Sequence, residues 1–132
     1  EDLLLWDKNE LIDFYEAGTV GSSAVWLPDN ERCVKKKAVT IDSWVANNNI
    51  SKLDFIKMDI EGCEIDALKG AENFIKKYKP KMFIEVQTGC LQRKNYTEKD
   101  LIDIIHKYGY FCIPCPLNRG NKIQYDILCI PI

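Results

Sequence analysis

No apolar run in this chain approaches the ~20 residues that a membrane-spanning helix needs, so no span is expected. Charge of one sign is also missing. The 18 Lys and Arg against 20 Asp and Glu leave a formal net charge of −2, which gives neither nucleic acid nor an anionic membrane an electrostatic reason to bind. The one basic cluster, Lys35-Lys36-Lys37, is too short to alter that and reads as a solvated loop. Internal repeats and low-complexity tracts are absent. There is a single histidine, His106, set among Ile104, Ile105 and Tyr108 on an expected helix, where a structural role is expected. The chain starts at Glu1 with neither an initiator Met nor a signal peptide, so a processed or excised chain is expected, with further sequence upstream.

The 132 residues suffice for one domain with one core. With 46% hydrophobic and 29% charged residues, the composition is that of an ordinary globular protein rather than a disordered one. The six cysteines, at 33, 63, 90, 112, 115 and 129, are irregularly spaced among apolar neighbours and read as small buried side chains. Cys112 and Cys115 form a C-x-x-C, but a redox pair should open a helix, and this one lies in a β-like stretch with Pro114. A zinc site would need about two more ligands, and only His106 and Cys90 are near in sequence. The triplets Asn49-Ile50-Ser51 and Asn95-Tyr96-Thr97 would accept glycans only in a secreted protein. The compartment therefore stays open, with the cytoplasm favoured over a secretory route.

Along the chain, Leu3-Leu4-Leu5-Trp6 and Leu11-Ile12-Asp13-Phe14-Tyr15 read as a hairpin around Asp7-Lys8-Asn9. Residues 16–33, with Gly18, Gly21, Pro28 and Asp29, read as loop. Val39-Thr40-Ile41 suggests a short strand, and Asp42 suggests the N-cap of a helix over 43–49, with Ile41 and Ala46 as a hydrophobic staple. Residues 53–60 read as a strand. The spacing of Ile65, Leu68, Ala71, Phe74 or Ile75, and Tyr78 predicts a helix that Gly70 could interrupt. Met82-Phe83-Ile84-Glu85-Val86 is a strand after Pro80. Thr97-Glu98-Lys99-Asp100 is a capping box that opens a helix with Leu101, Ile104, Ile105 and Tyr108 on one face, ended by Gly109. Strands at 110–113 and 125–131, joined by the polar loop Asn118-Arg119-Gly120-Asn121, should pair antiparallel. The expectation is a single partial α/β domain over 1–132: a hairpin and loop region over 1–38, then a βαβαββ core over 39–132 with a mostly parallel sheet.

The segment richest in chemistry is Lys57-Met58-Asp59-Ile60-Glu61-Gly62. On a strand, alternate side chains share a face, so Lys57, Asp59 and Glu61 would form one charged row with Ile56, Met58 and Ile60 opposite. Strands of parallel sheets are usually apolar on both faces. A charged row there must be paired, solvated in a cleft, or placed where the strand leaves the sheet, and that carboxyl end is where open α/β sheets bind ligands. Glu85, near the end of the next strand, would open onto the same cleft. A carboxylate there could take or orient the proton of a hydroxyl during transfer, or two could hold a divalent cation, while Lys57 would keep a neighbouring carboxylate ionised. The blander reading is a solvated Lys–Asp–Glu ladder, with Glu64 and Asp66 as first-turn carboxylates favouring a helix N-terminus.

Taken together, Thr40-Ile41-Asp42-Ser43-Trp44, Lys57-Met58-Asp59-Ile60-Glu61-Gly62-Cys63-Glu64, Leu68-Lys69-Gly70-Ala71, Lys79-Pro80 and Ile84-Glu85-Val86 resemble the FkbM methyltransferase family. That family shows a threonine–apolar–Asp helix start, a K-x-D-x-E-G-x-E strand end, an L-K-G-A helix and a K-P before a strand ending in Glu, in this order. The resemblance implies the C-terminal half of a class I, Rossmann-like methyltransferase sheet, of strand order 3-2-1-4-5-7-6 with strand 7 antiparallel. Residues 53–60, 81–86, 110–113 and 125–131 would be its strands 4 to 7. It implies S-adenosylmethionine as methyl donor and a hydroxyl on a sugar or other small molecule as acceptor. Asp59 and Glu61 would be the catalytic residues beside the transfer point, and Lys57 and Glu85 would line the acceptor side. No metal site is assigned.

The family's Gly-rich cofactor loop is not among these residues. Gly18-Thr19-Val20-Gly21 opens no helix and does not follow a suitable strand. The cofactor-binding residues of this chain are thus unassigned, the isolated chain is expected to be inactive, and self-association through an uncovered strand edge is possible. Two other functions stay in view: a non-catalytic half-domain serving as a binding or structural module, and a metal-dependent nuclease built on Asp59 and Glu85-Val86-Gln87.

Overall fold

Elements form where sequence period and geometry agree, and Lys81–Gln87 (β5) is the clearest case. Met82, Ile84 and Val86 alternate with half-buried Phe83 and Glu85 and are fully buried, so this strand is the centre of the core. The computed structural model describes residues 3–17, 22–24, 32–115 and 124–132. In chain order, β1 (Leu4–Leu5), β2 (Glu10–Glu16) and β3 (Arg32–Val39) precede α1 (Ile41–Asn47) and β4 (Phe55–Met58). Then come α2 (Glu64–Lys69), α3 (Glu72–Tyr78), β5, α4 (Thr88–Arg93), α5 (Glu98–Lys107), β6 (Tyr110–Pro114) and β7 (Gln124–Pro131).

The main sheet has the order β4-β5-β7-β6. β4 runs parallel to β5, and β7 runs antiparallel to both β5 and β6. Three of its four strands therefore share one direction and the last opposes them, as expected for the second half of a class I methyltransferase sheet. Leu68, Ile75, Leu101, Ile105 and Ile127 join the β5 side chains in one core, each contributing about 1.5–3 kcal/mol by leaving water. Two buried tyrosine hydroxyls are satisfied by backbone: Tyr108 donates to Leu68 O at 3.2 Å and Tyr110 to Pro80 O at 2.7 Å. The capping box at Thr97 forms with Asp100, and Gly109 adopts a positive φ just past α5.

The two crossovers are more broken than the periodicity implied. The helix after β4 splits into α2 and α3 at Gly70, and α4 inserts between β5 and α5. The split has a packing cause, because a Cβ on Gly70 would lie 2.0 Å from the backbone O of Trp6, so only glycine permits that approach.

The amino-terminal expectations need correction. Leu3–Trp6 and Leu11–Tyr15 do not form a hairpin: β1 pairs in parallel with β3, and β2 pairs antiparallel with β3, giving the order β1-β3-β2. The partner of both lies at 32–39, and a local turn signal cannot see it. Lys35, Lys36 and Lys37 are strand rather than loop, with Lys35 paired to Asp13 at 2.8 Å and Lys36 over the Phe14 ring. Thr40, not Asp42, caps α1, accepting from the Ser43 N–H at 3.0 Å. Asp42 instead accepts the Asn73 and Phe74 amides at 3.1 and 2.8 Å, tying α1 to the start of α3. Ala46 is exposed, so it makes no staple with buried Ile41. The segment Gly18–Gly21, Pro28, Asp29 and the 118–121 loop lie outside the described residues.

Candidate functional site

β4 and β5 end side by side. Met58 is opposite Ile84 in the parallel register, and one residue further along each strand lie Asp59 and Glu85. Lys57 Nζ meets Asp59 Oδ2 at 3.0 Å. From β7, Gln124 Nε2 donates to Glu85 Oε1 at 2.8 Å. Asp59 and Glu85 are themselves within hydrogen-bonding reach, so Lys57, Asp59, Glu85 and Gln124 make a continuous chain across three strands.

The two carboxyls are pushed in opposite directions. Asp59 is held below the ordinary carboxylate range, first by its bond to Lys57, against a smaller opposing effect of burial, and then by its bond to Glu85. Glu85 is raised, chiefly by burial and further by the negative charges of Asp59 and Glu61, with Gln124 opposing. Their environments thus separate the two carboxyls, making Asp59 the more acidic and Glu85 the less acidic of the pair. Lys57 is raised in turn by its bond to Asp59.

Glu61 does not continue the row of alternating side chains. β4 ends at Met58, and Glu61 sits in the left-handed region with φ 55°, followed by Gly62 at φ 94°. The chain thus turns sharply after Asp59. A Cβ on Gly62 would lie 2.7 Å from the Cys90 backbone carbonyl carbon, so glycine is required both for its φ and for the close approach of α4. Glu61 Oε2 accepts a weak bond from Cys90 Sγ at 3.7 Å, and the Cys90 thiol also meets Gln87 Oε1 at 2.9 Å. Its backbone O accepts from the buried Ser23 hydroxyl at 3.2 Å. A cavity of about 190 Å³ adjoins the turn, lined by Leu4, Leu5, Phe14, Ser22, Asp59 and Ile60 among others.

Gln124 and Ser23 are additions that the sequence did not single out, and Gln87 and Cys90 entered there only through the nuclease and zinc alternatives. Burial pushes the Cys90 thiol up to about 11 and Cys63 to about 12, so both stay protonated near neutrality. All six cysteines are free. Cys112 faces Cys129 across β6 and β7, Sγ to Sγ 3.9 Å, rather than its C-x-x-C neighbour Cys115. Among the described residues no three His, Cys, Asp or Glu side chains are disposed to hold a metal ion. Glu64 and Asp66 differ from solvated first-turn acids: both are buried, Asp66 in an ion pair with Lys94 and Glu64 against the turn.

The FkbM methyltransferase domain model matches residues 7–112. The chain belongs to the FkbM methyltransferase family. Among solved structures, this FkbM domain is similar to the crystal structure of methyltransferase FkbM from Methylobacillus flagellatus KT. The identity is 25% and the TM-score 0.51, over 72% of this chain and 23% of that one. The domain thus spans under a quarter of that relative's length. Among curated proteins, no relative matches it. The match runs from β1's exit into β6 and contains the whole turn from Lys57 to Glu64.

Proposed function

We propose that this FkbM domain takes part in transferring a methyl group from S-adenosylmethionine to a hydroxyl of a small acceptor, such as a sugar, with Asp59 as the proton acceptor. The observation that carries the reading is the pair Asp59 and Glu85, bonded to Lys57 and Gln124 respectively, at the carboxyl ends of adjacent parallel strands. A hydroxyl is a weak nucleophile until its proton has somewhere to go, and Asp59 can take it. Glu85, steered by Gln124, can hydrogen-bond a second acceptor hydroxyl and orient it. Lys57 keeps Asp59 charged.

The donor would supply an electrophilic methyl on a sulfonium cation. Carboxylates such as Asp59 and Glu61 beside the transfer point suit a positively charged donor. The Gly-rich loop that would hold the rest of the donor is not among these residues. The 132 residues alone are accordingly expected to be inactive. The test is methyl transfer from labelled S-adenosylmethionine to a panel of hydroxylated sugars, using the full-length protein. Asp59→Asn should lower turnover by about 100-fold or more while leaving thermal stability near the parent. Parental turnover in that variant would sink the reading.

The free edge of β4 supports a second element of the proposal. β4 is paired on one side only among the described residues. Beside it runs an apolar groove of about 480 Å³ lined by Leu3, Leu5, Trp44, Leu53, Phe55 and Ile56 among others. Phe55 is 51% exposed. This flank is where the donor-binding half of a class I sheet would dock. Without it, two copies of the chain are expected to pair through the same edge.

A further inference from the structure

We propose that Glu64 is a positioning residue. Its buried carboxyl gathers the amides of Ile60 and Gly62 onto one oxygen and so fixes the turn that presents Asp59 and Glu61. The inference rests on the methyl-transfer reading of that turn and adds to it a residue that does not touch the acceptor.

The geometry is specific. Ile60 N and Gly62 N reach Glu64 Oε1 at 3.3 and 3.2 Å. The two amides flank Glu61, whose backbone is left-handed at φ 55°, a conformation that a residue with a long side chain holds only when its surroundings impose it. Three further contacts close the turn: Cys63 N to Ile60 O at 3.3 Å, Ser23 Oγ to Glu61 O at 3.2 Å, and Gly62 against the Cys90 backbone. Asp59 leads into the turn and Glu61 is its apex.

Packing alone does not call for a carboxyl here. Glu64 is 1% exposed, and its Oε2 has no hydrogen-bond partner among the described residues. An apolar side chain of similar volume would fill the site without burying an unpaired oxygen. What it could not do is accept two backbone N–H groups that point away from any ladder. Burial raises the Glu64 carboxyl above its ordinary value, against the Gly62 and Ile60 amides, which pull it down.

The experiment compares Glu64→Gln, Glu64→Leu and Gly62→Ala in the full-length protein. Amide hydrogen exchange at Ile60 and Gly62 is read alongside turnover with labelled S-adenosylmethionine and the hydroxylated sugar the parent methylates best. Glu64→Gln keeps a carbonyl oxygen at the same place. It should keep both amides protected and hold turnover within about threefold. Glu64→Leu should speed exchange at both amides, and lower kcat by about tenfold or more with a smaller change in acceptor KM. Gly62→Ala should reproduce the kcat loss from the other side of the turn. Protected amides in Glu64→Leu, or unprotected amides in Glu64→Gln, overturn the proposal. If Glu64→Leu does not fold, the Glu64→Gln and Gly62→Ala results decide. The two readings fail separately: parental turnover in Asp59→Asn removes the methyl-transfer reading, whereas amide exchange judges Glu64 without any acceptor.

Discussion

At the scale of single residues, what matters is where protons sit. Lys57 and Glu85 were readable from sequence as charges in places where strands avoid them. The bond from Gln124 to Glu85 was not readable, because Gln124 arrives from β7, 39 residues after Glu85 in the chain. Glu64 is the first-turn acid that the pattern suggested, but its burial was unreadable for a related reason. An acid at the start of a helix is ordinarily solvated, and nothing in E-G-C-E announces that this one is buried. Its titration gives a testable sign. A carboxyl raised on folding adds stability in full below its unfolded value of 4.5 and loses it as pH rises through the folded value. Glu64→Gln does not titrate, so its melting temperature should gain on the parent's between pH 4.5 and pH 8. A constant or shrinking difference in thermal melts at those two values would show that Glu64 ionises freely in the folded chain. Asp59 has the opposite sign: the stability from its Lys57 bond is present above its unfolded value of 3.8 and fades as pH falls through the lowered folded one.

At the scale of elements, legibility followed the range of the signal. β5, α5, β6 and β7 are written locally, in strict alternation, a capping box and a polar connection, and all appear where the pattern put them. β1 and β3 are defined by each other across more than thirty residues, so no window contains the evidence. α4 is a six-residue helix with no side-chain cap, and it offers no periodic stretch to detect. Two substitutions separate these cases. Thr97→Ala removes the α5 cap and should lower stability by about 1 kcal/mol, measured by urea unfolding. Gly70→Ala places a methyl against Trp6 O and should lower it by about 1–3 kcal/mol, with β1 displaced. A neutral result at Gly70 would mean that β1 is not held against the α2–α3 joint.

At the scale of the whole molecule, the main sheet ends in β4 on one side and β6 on the other among the described residues, and the β4 edge fronts the apolar groove. The isolated 132 residues should therefore elute at a mass that rises with loading concentration on size-exclusion chromatography, and Phe55→Lys on the exposed edge should return them to monomer. A monomer at all concentrations would show that the edge is blunted without help.

The small and main sheets meet at Trp6. Its backbone O rests on Gly70, and its ring lies under the Lys94 ammonium at 3.7 Å, while that same ammonium is paired to Asp66. Separating the two sheets would strip the cation from the indole and wet the ring together. A chain in which Trp26 and Trp44 are replaced by Phe would thus carry its own optical gauge. The emission of Trp6 should shift to longer wavelength when the seam opens, whether or not the core has begun to melt.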